Sequence, residues 1–177
     1  MRHINNRVET VLSGIKNSPG IRYRELVRIT GIPNGTISYY IKKLEKNQQI
    51  SVQKISRSCR FFVPELSEIQ RRVIVMLRGK NTRSILLALK KDEMSFSSLV
   101  EQLKNHPSTV SINLKKLVNS EVVEKIGKDR FAIKNKDIIT KIIGEFESIT
   151  LFFVSLLYYS PFQSSTNFVL FDSSVFV

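Results

Sequence analysis

Two stretches of this chain set apolar and polar residues in the same order. In the first, Val8, Val11, Leu12 and Ile15 fall on one side of a helix, a pattern that stops at Ser18-Pro19-Gly20. A short helix is predicted over residues 22–30, then a turn at Gly31-Ile32-Pro33 and a longer helix over 33–47. Two extended runs, 50–55 and 60–63, flank the polar loop Ser56-Arg57-Ser58 and read as a hairpin. The second stretch opens on an apolar helix around 85–89, followed by a helix near 96–103 and a turn at Asn105-His106-Pro107. A helix then runs to about Asn119, and residues 122–126 pair with 130–133 across Gly127-Lys128-Asp129. Each stretch reads helix, helix, turn, helix, hairpin.

The likeness extends to residue identity. At an offset of 73, residues 22–50 align with 95–123 without a gap, and seven of the 29 positions are identical: Leu26/Leu99, Val27/Val100, Thr36/Thr109, Ser38/Ser111, Lys42/Lys115, Lys43/Lys116 and Leu44/Leu117. Tyr23/Phe96, Ile37/Val110, Ile41/Leu114 and Ile50/Val123 keep apolar character. Two copies at so long a period indicate a duplicated domain, because solenoids repeat more often and at shorter intervals. The second wing is shorter, since Phe131 follows Phe61 by 70 residues.

This gives a mainly α fold with small β-hairpin wings: a first domain over 1–64, a connecting helix over 65–80, a second domain over 81–134, an apolar helix over 135–160 and a tail over 161–177. The connecting segment is basic, with Arg71, Arg72 and Arg78, and is expected to hold the modules at a set distance. In the C-terminal helix Ile138, Ile139, Ile142, Ile143, Phe146, Ile149, Phe153 and Leu156 recur at helical spacing. That is too much apolar surface for a lone solvated helix. The expectation is homodimerisation through residues 136–159, with packing on the chain's own core as the alternative. The tail carries no readable motif.

Charge sharpens the picture. The net charge is +13 and the pI about 10.0, which calls for a polyanionic partner. Residues 1–64 carry 12 Lys and Arg against 3 Asp and Glu, residues 65–134 carry 14 against 8, and residues 135–177 carry 2 against 4. The polyanion should therefore meet the first domain. The most lipid-like run, 149–159, is short of the roughly 20 apolar residues that a spanning helix needs and is followed by Ser160-Pro161, so no stable membrane insertion is expected. The single cysteine, Cys59, forms no internal disulfide, and with no secretory signal a cytoplasmic, nucleoid-associated location is expected.

On the helix over 33–47, Ile37, Ile41 and Leu44 share an inward face, while Gly35, Tyr39, Lys42, Lys43 and Lys46 lie opposite, with Thr36 and Ser38 at the margins. A major groove admits one such helix; residues near its start reach base edges and lysines further along meet phosphate. Asn34, Thr36, Ser38 and Tyr39 offer hydrogen bonds, and Gly35 lets the backbone come close. Arg22, Arg24 and Arg28 on the preceding helix, with Lys54, Arg57 and Arg60 on the wing, should flank the same groove. In the second copy Val110, Leu114 and Leu117 face inward, leaving Ser108, Thr109, Ser111, Lys115, Lys116, Lys128 and Arg130 as a further set of candidate DNA contacts. Ile112 stands where the first copy has Tyr39 and offers only contact with a thymine methyl. Glu101, Glu121, Glu124 and Asp129 repel phosphate, so weaker binding or a packing role is expected of this copy.

The stretch SPGIRYRELVRITGIPNGTISYYIKKLEKNQQI, followed by basic strands, resembles winged helix-turn-helix regulators of the MarR/ArsR-like class. It is most similar to the tandem winged-helix regulators common in archaea, through Pro-Gly, Arg-Glu-Leu, Gly-Thr and Lys-Lys-Leu-Glu. The resemblance spans residues 18–134 and implies a dimeric transcription regulator that binds double-stranded DNA. A module that docks proteins, without reading DNA, is the alternative, since fold alone does not settle function. No zinc-ligand spacing, phosphate-cradling glycine loop or nucleophile motif is present, so no metal, no cofactor and no enzymatic activity are expected. His106, beside Pro107 at a helix start, reads as a cap or a phosphate neighbour.

Overall fold

The first helix, α1 (Arg2–Asn17), ends at Ser18-Pro19-Gly20, where Gly20 takes the left-handed φ of +74° that the turn requires. The chain continues through β1 (Ile21–Arg22), α2 (Tyr23–Thr30), α3 (Asn34–Lys46), β2 (Ser51–Ile55) and β3 (Ser58–Phe62). The second half runs α4 (Glu68–Leu77), α5 (Lys80–Lys91), β4 (Met94–Ser95), α6 (Phe96–Leu103), α7 (Pro107–Asn119), β5 (Val123–Ile126), β6 (Arg130–Ile133) and α8 (Lys136–Tyr159). This computed structural model describes residues 2–55 and 58–159, with side chains described over 6–55 and 58–148.

The duplication extends to backbone geometry. β1 and β4, α2 and α6, and α3 and α7 begin and end 73 residues apart. The turn between the second and third helices of each copy needs a left-handed residue: Gly31 supplies it at φ 65° and its counterpart Lys104 at 49°. After the third helix Gln48 and Glu121, also 73 apart, take φ of 55° and 56°. Such φ values are uncommon outside glycine, so their recurrence at equivalent positions reflects one fold built twice.

Each predicted hairpin gains a third, two-residue strand, giving sheets ordered β1-β3-β2 and β4-β6-β5. Ile21 and Val52 flank Phe61 in the first, and Met94 and Lys125 flank Phe131 in the second. Strands this short have no periodicity to read in a sequence.

Val11, Ile15, Leu26, Ile37, Leu44 and Phe61 form one core. A second core gathers Val73, Leu77, Leu86, Leu99, Leu117 and Ile143, and it also takes in Phe62 from the first wing. Successive strand residues point to opposite faces. Phe61 therefore packs under α1 and α3 while Phe62 crosses to α4.

The connecting helix is more than a spacer. A Ser67–Gln70 capping box starts α4, and its Val73, Ile74, Val75 and Leu77 are buried in the second core. Its arginines bind outward elements. Arg71 lies over the Phe62 ring at 5.8 Å and donates to Ser51 Oγ at 2.9 Å and to the Pro64 carbonyl at 3.1 Å. Arg78 donates to Glu25 Oε2 at 2.7 Å and to the Pro19 carbonyl at 3.3 Å. A Cβ on Gly20 would lie 3.0 Å from Ile74 Cγ2, so the first turn is pressed against α4.

The first half of α8 is used inside the chain: Ile139, Ile142, Ile143 and Phe146 are buried in the second core, and Glu147 pairs with Lys90 at 3.0 Å. The side chains of Ile149, Phe153 and Leu156 lie outside the described residues, as does the tail.

Candidate nucleic-acid interface

One side of α3 is committed to the core and the other is bare. Ile37, Tyr40, Ile41 and Leu44 are buried, whereas Asn34, Gly35, Tyr39, Lys42, Lys43 and Lys46 are exposed, with Thr36 and Ser38 half-buried between them. Tyr39 is 61% exposed and stands edge-on to the buried Tyr40 ring at 5.5 Å. A Cβ on Gly35 would meet nothing within 4 Å, so the backbone there is open to a ligand. Three lysines, a phenol and amide and hydroxyl groups thus line a single helix face.

The start of the helix is open too. Pro33 occupies the N-cap position and no side chain caps the first turn, leaving the backbone N–H groups there without a side-chain acceptor. Tyr23, at the start of α2, donates from Oη to the Asn34 carbonyl at 2.8 Å and ties the two helices together. In α7 the equivalent end is closed: His106 Nδ1 accepts from the Ser108 N–H at 3.4 Å and lies 2.7 Å from Ser108 Oγ. The capping role predicted for His106 is the one observed.

Around α3, Arg22, Arg24, Arg28 and Lys54 are exposed. Arg57 lies outside the described residues. Arg60 overturns its expected place on the DNA side of the wing. It is 6% exposed, and Nη1 donates to the Gly20 carbonyl at 2.8 Å. Burial, then the charges of Arg22 and Arg78, pull its pKa below the ordinary guanidinium value, with Glu25 acting the other way. Strand alternation puts Arg60 on the face of the sheet that carries Phe62, against α4, and a surface contact is closed to it. Cys59, one residue earlier, points the other way and is exposed.

On α7, Ser108, Ser111, Ile112, Lys115 and Lys116 are exposed, Thr109 is half-buried, and Lys128 is exposed on the wing. Asn113 replaces the buried Tyr40 and satisfies itself by donating to the Thr109 carbonyl at 2.7 Å. Arg130 remains exposed but is held by Glu93 Oε1 at 2.9 Å. Glu121 pairs with Arg72 at 2.6 Å; that hydrogen bond, with the charges of Lys134 and Arg72, keeps its carboxyl below the usual range. The repulsion expected from Glu121 is therefore partly neutralised. Between α7 and the wing runs a cleft lined by Phe96, Leu114, Val118 and Phe131 and edged by Lys115 and Lys125.

Family comparison agrees with this geometry. A model described as winged helix-turn-helix DNA-binding matches residues 11–51, and one described as the arsR family of bacterial regulatory proteins matches residues 80–125. The chain is a tandem winged helix-turn-helix protein. Over 121 residues, 68% of its length, it is 24% identical to an uncharacterised HTH-type transcriptional regulator of Methanocaldococcus jannaschii. The match takes in 31% of that protein, so this tandem winged-helix chain spans about a third of its relative. Among the described residues no helix is long and apolar enough to cross a membrane, and no group of three His, Cys, Asp or Glu is placed to hold a metal.

Sequence reasoning missed Tyr23, which it treated as a core position equivalent to Phe96. The difference between the two is one hydroxyl, and that contrast within an otherwise apolar pair was the available signal.

Proposed function

We propose that this chain is a transcription regulator that binds double-stranded DNA through its first module, with α3 in the major groove. The observation that carries this reading is the bare face of α3: Asn34, Gly35 and Tyr39 toward its start, Lys42, Lys43 and Lys46 behind them, and an uncapped N-terminus. Backbone N–H groups at an open helix end, with lysines beside them, suit phosphate, and amide, hydroxyl and phenol groups suit base edges. Arg22, Arg24, Arg28 and Lys54 extend the basic surface, and Arg57 belongs to the same wing.

The second module plays the smaller part in contacting DNA. Its α7 is capped by His106 and presents Ile112 where α3 presents Tyr39, so Ile112 suits a thymine methyl while Ser108, Ser111, Lys115, Lys116 and Lys128 suit backbone contacts better than base readout. Homodimerisation runs through residues 136–159, of which Ile139, Ile142, Ile143 and Phe146 also serve the chain's own core. The regulator acts in the cytoplasm, at the nucleoid, and is not an enzyme.

Binding to random and selected duplexes across a salt series tests the reading. Each phosphate neutralised contributes about −0.9 to the slope of log K against log salt, so Lys42→Ala/Lys43→Ala should flatten the slope by up to about 1.8. An unchanged slope rejects this placement of α3. No binding to any duplex at low salt favours the docking alternative.

A further inference from the structure

Buried Ile37, Tyr40, Ile41 and Leu44 seat α3 on the core, but the first turn of the helix lies ahead of them and is held by other means. In the first module that turn has no cap of its own, and Tyr23 supplies the anchor. Its ring packs against the first core, and its hydroxyl donates to the Asn34 carbonyl at 2.8 Å, eleven residues away in sequence. The residue is thus a short strut with its base in the core and its tip on the first residue of α3.

The base of the strut is itself fixed. Glu25, two residues on, accepts from the Arg22 backbone N–H at 3.2 Å and from Arg78 Nη2 at 2.7 Å. The first turn of α2 is therefore tied to the end of α4 before Tyr23 reaches across to α3. In the second module Phe96 has no hydroxyl, and His106 holds the equivalent turn from within.

We infer that Tyr23 is a positioning residue for DNA reading: its hydroxyl sets the approach of Asn34, Gly35 and Thr36 to the base edges while leaving their N–H groups free. The inference rests on the reading of α3 given above. A strut acting through orientation affects specific contacts, which need placement to within fractions of an ångström, and leaves phosphate attraction largely alone.

The test uses the full chain, a duplex enriched from a random pool by the wild-type protein, and an unrelated duplex of equal length. Tyr23→Phe removes one oxygen and keeps the ring. The expected result is a loss of about three- to tenfold in affinity for the enriched duplex, the scale of one net hydrogen bond, with the unrelated duplex and the salt slope unchanged. In the free protein, amide exchange at Ile37 and Ser38, the first N–H groups of α3 with a carbonyl partner in the helix, should quicken while the rest of the first module holds its protection. Equal affinity for the enriched duplex, or an equal loss on both duplexes, overturns the positioning role while leaving DNA binding intact. Unchanged exchange at Ile37 and Ser38 overturns the strut itself. Failure of the wild-type chain to enrich any sequence overturns the reading of α3 and this inference with it.

Discussion

Arg60 and Arg130 make the same bond in the two halves of the chain. Each sits opposite the second residue of a two-residue strand, Arg22 in one copy and Ser95 in the other, and each donates to the carbonyl two residues before that partner. Arg60 reaches the Gly20 carbonyl at 2.8 Å, and Arg130 the Glu93 carbonyl at 3.4 Å; Gly20 and Glu93 are themselves 73 residues apart. Both read from the sequence as wing arginines facing phosphate. In the fold they close the turn that leads into the second helix.

The two should therefore respond differently to substitution. Arg60 is buried, so Arg60→Ala leaves the Gly20 carbonyl without its donor and should cost about 1–3 kcal/mol in a denaturant titration. Arg130 is largely exposed, and Arg130→Ala should stay within about 0.5 kcal/mol. Arg60→Met, which fills the same space, should leave the salt slope of DNA binding unchanged. A flatter slope in that variant would return Arg60 to the interface.

Gly35 separates stability from function. It is exposed on α3 with open space around it, so Gly35→Ala should stabilise the fold by up to about 1 kcal/mol. The added methyl holds the backbone off its target, and affinity for a selected duplex should fall. Thermal melting and binding measured on one preparation check both signs, and a rise in affinity would contradict the placement of α3.

Acid should loosen the tie between the modules. Burial raises the Glu25 pKa, but the Arg78 charge and hydrogen bond, with the Arg22 N–H bond, outweigh it and leave the carboxyl below its ordinary value. A depressed folded pKa contributes stability that is present above the unfolded value, about 4.3, and is lost as pH falls through the folded one. Glu25→Gln should thus be less stable than the wild-type chain at pH 7, with the gap closing toward pH 3. Denaturation midpoints across that range measure it, and a constant gap would show that the carboxylate does not carry the effect.

Assembly should depend on the far half of α8. Because Ile139, Ile142, Ile143 and Phe146 are already buried within the chain, Phe153→Asp/Leu156→Asp should turn a dimer into a monomer in sedimentation without changing the far-ultraviolet circular dichroism. A wild-type chain that sediments as a monomer would refute dimerisation outright.

Much of this architecture was legible in the residues. Ile37, Ile41 and Leu44 marked the inward side of α3 because the helical period is fixed by geometry, and the gapless repeat carried the same reading to α7. Tyr40 escaped because its polar tip hid it, although it falls three residues after Ile37 and four before Leu44 on the same inward stripe. Arg60 escaped for a related reason. A basic residue on a wing reads as a surface charge, and its burial depends on α4, folded against the other face of the strand. The arginines of the connecting helix gave a charge but no partners, since Glu25, Ser51 and Pro19 are brought to them only by the tertiary fold.

The five residues of β3 are a party wall. Phe61 belongs to the house on one side and Phe62 to the house on the other, so neither half can be built alone without leaving its neighbour's face to the weather. A fragment ending after the first wing would present Phe62 to water, and one beginning at α4 would lack it. Two modules that repeat one another in element order and spacing should therefore be stable only together.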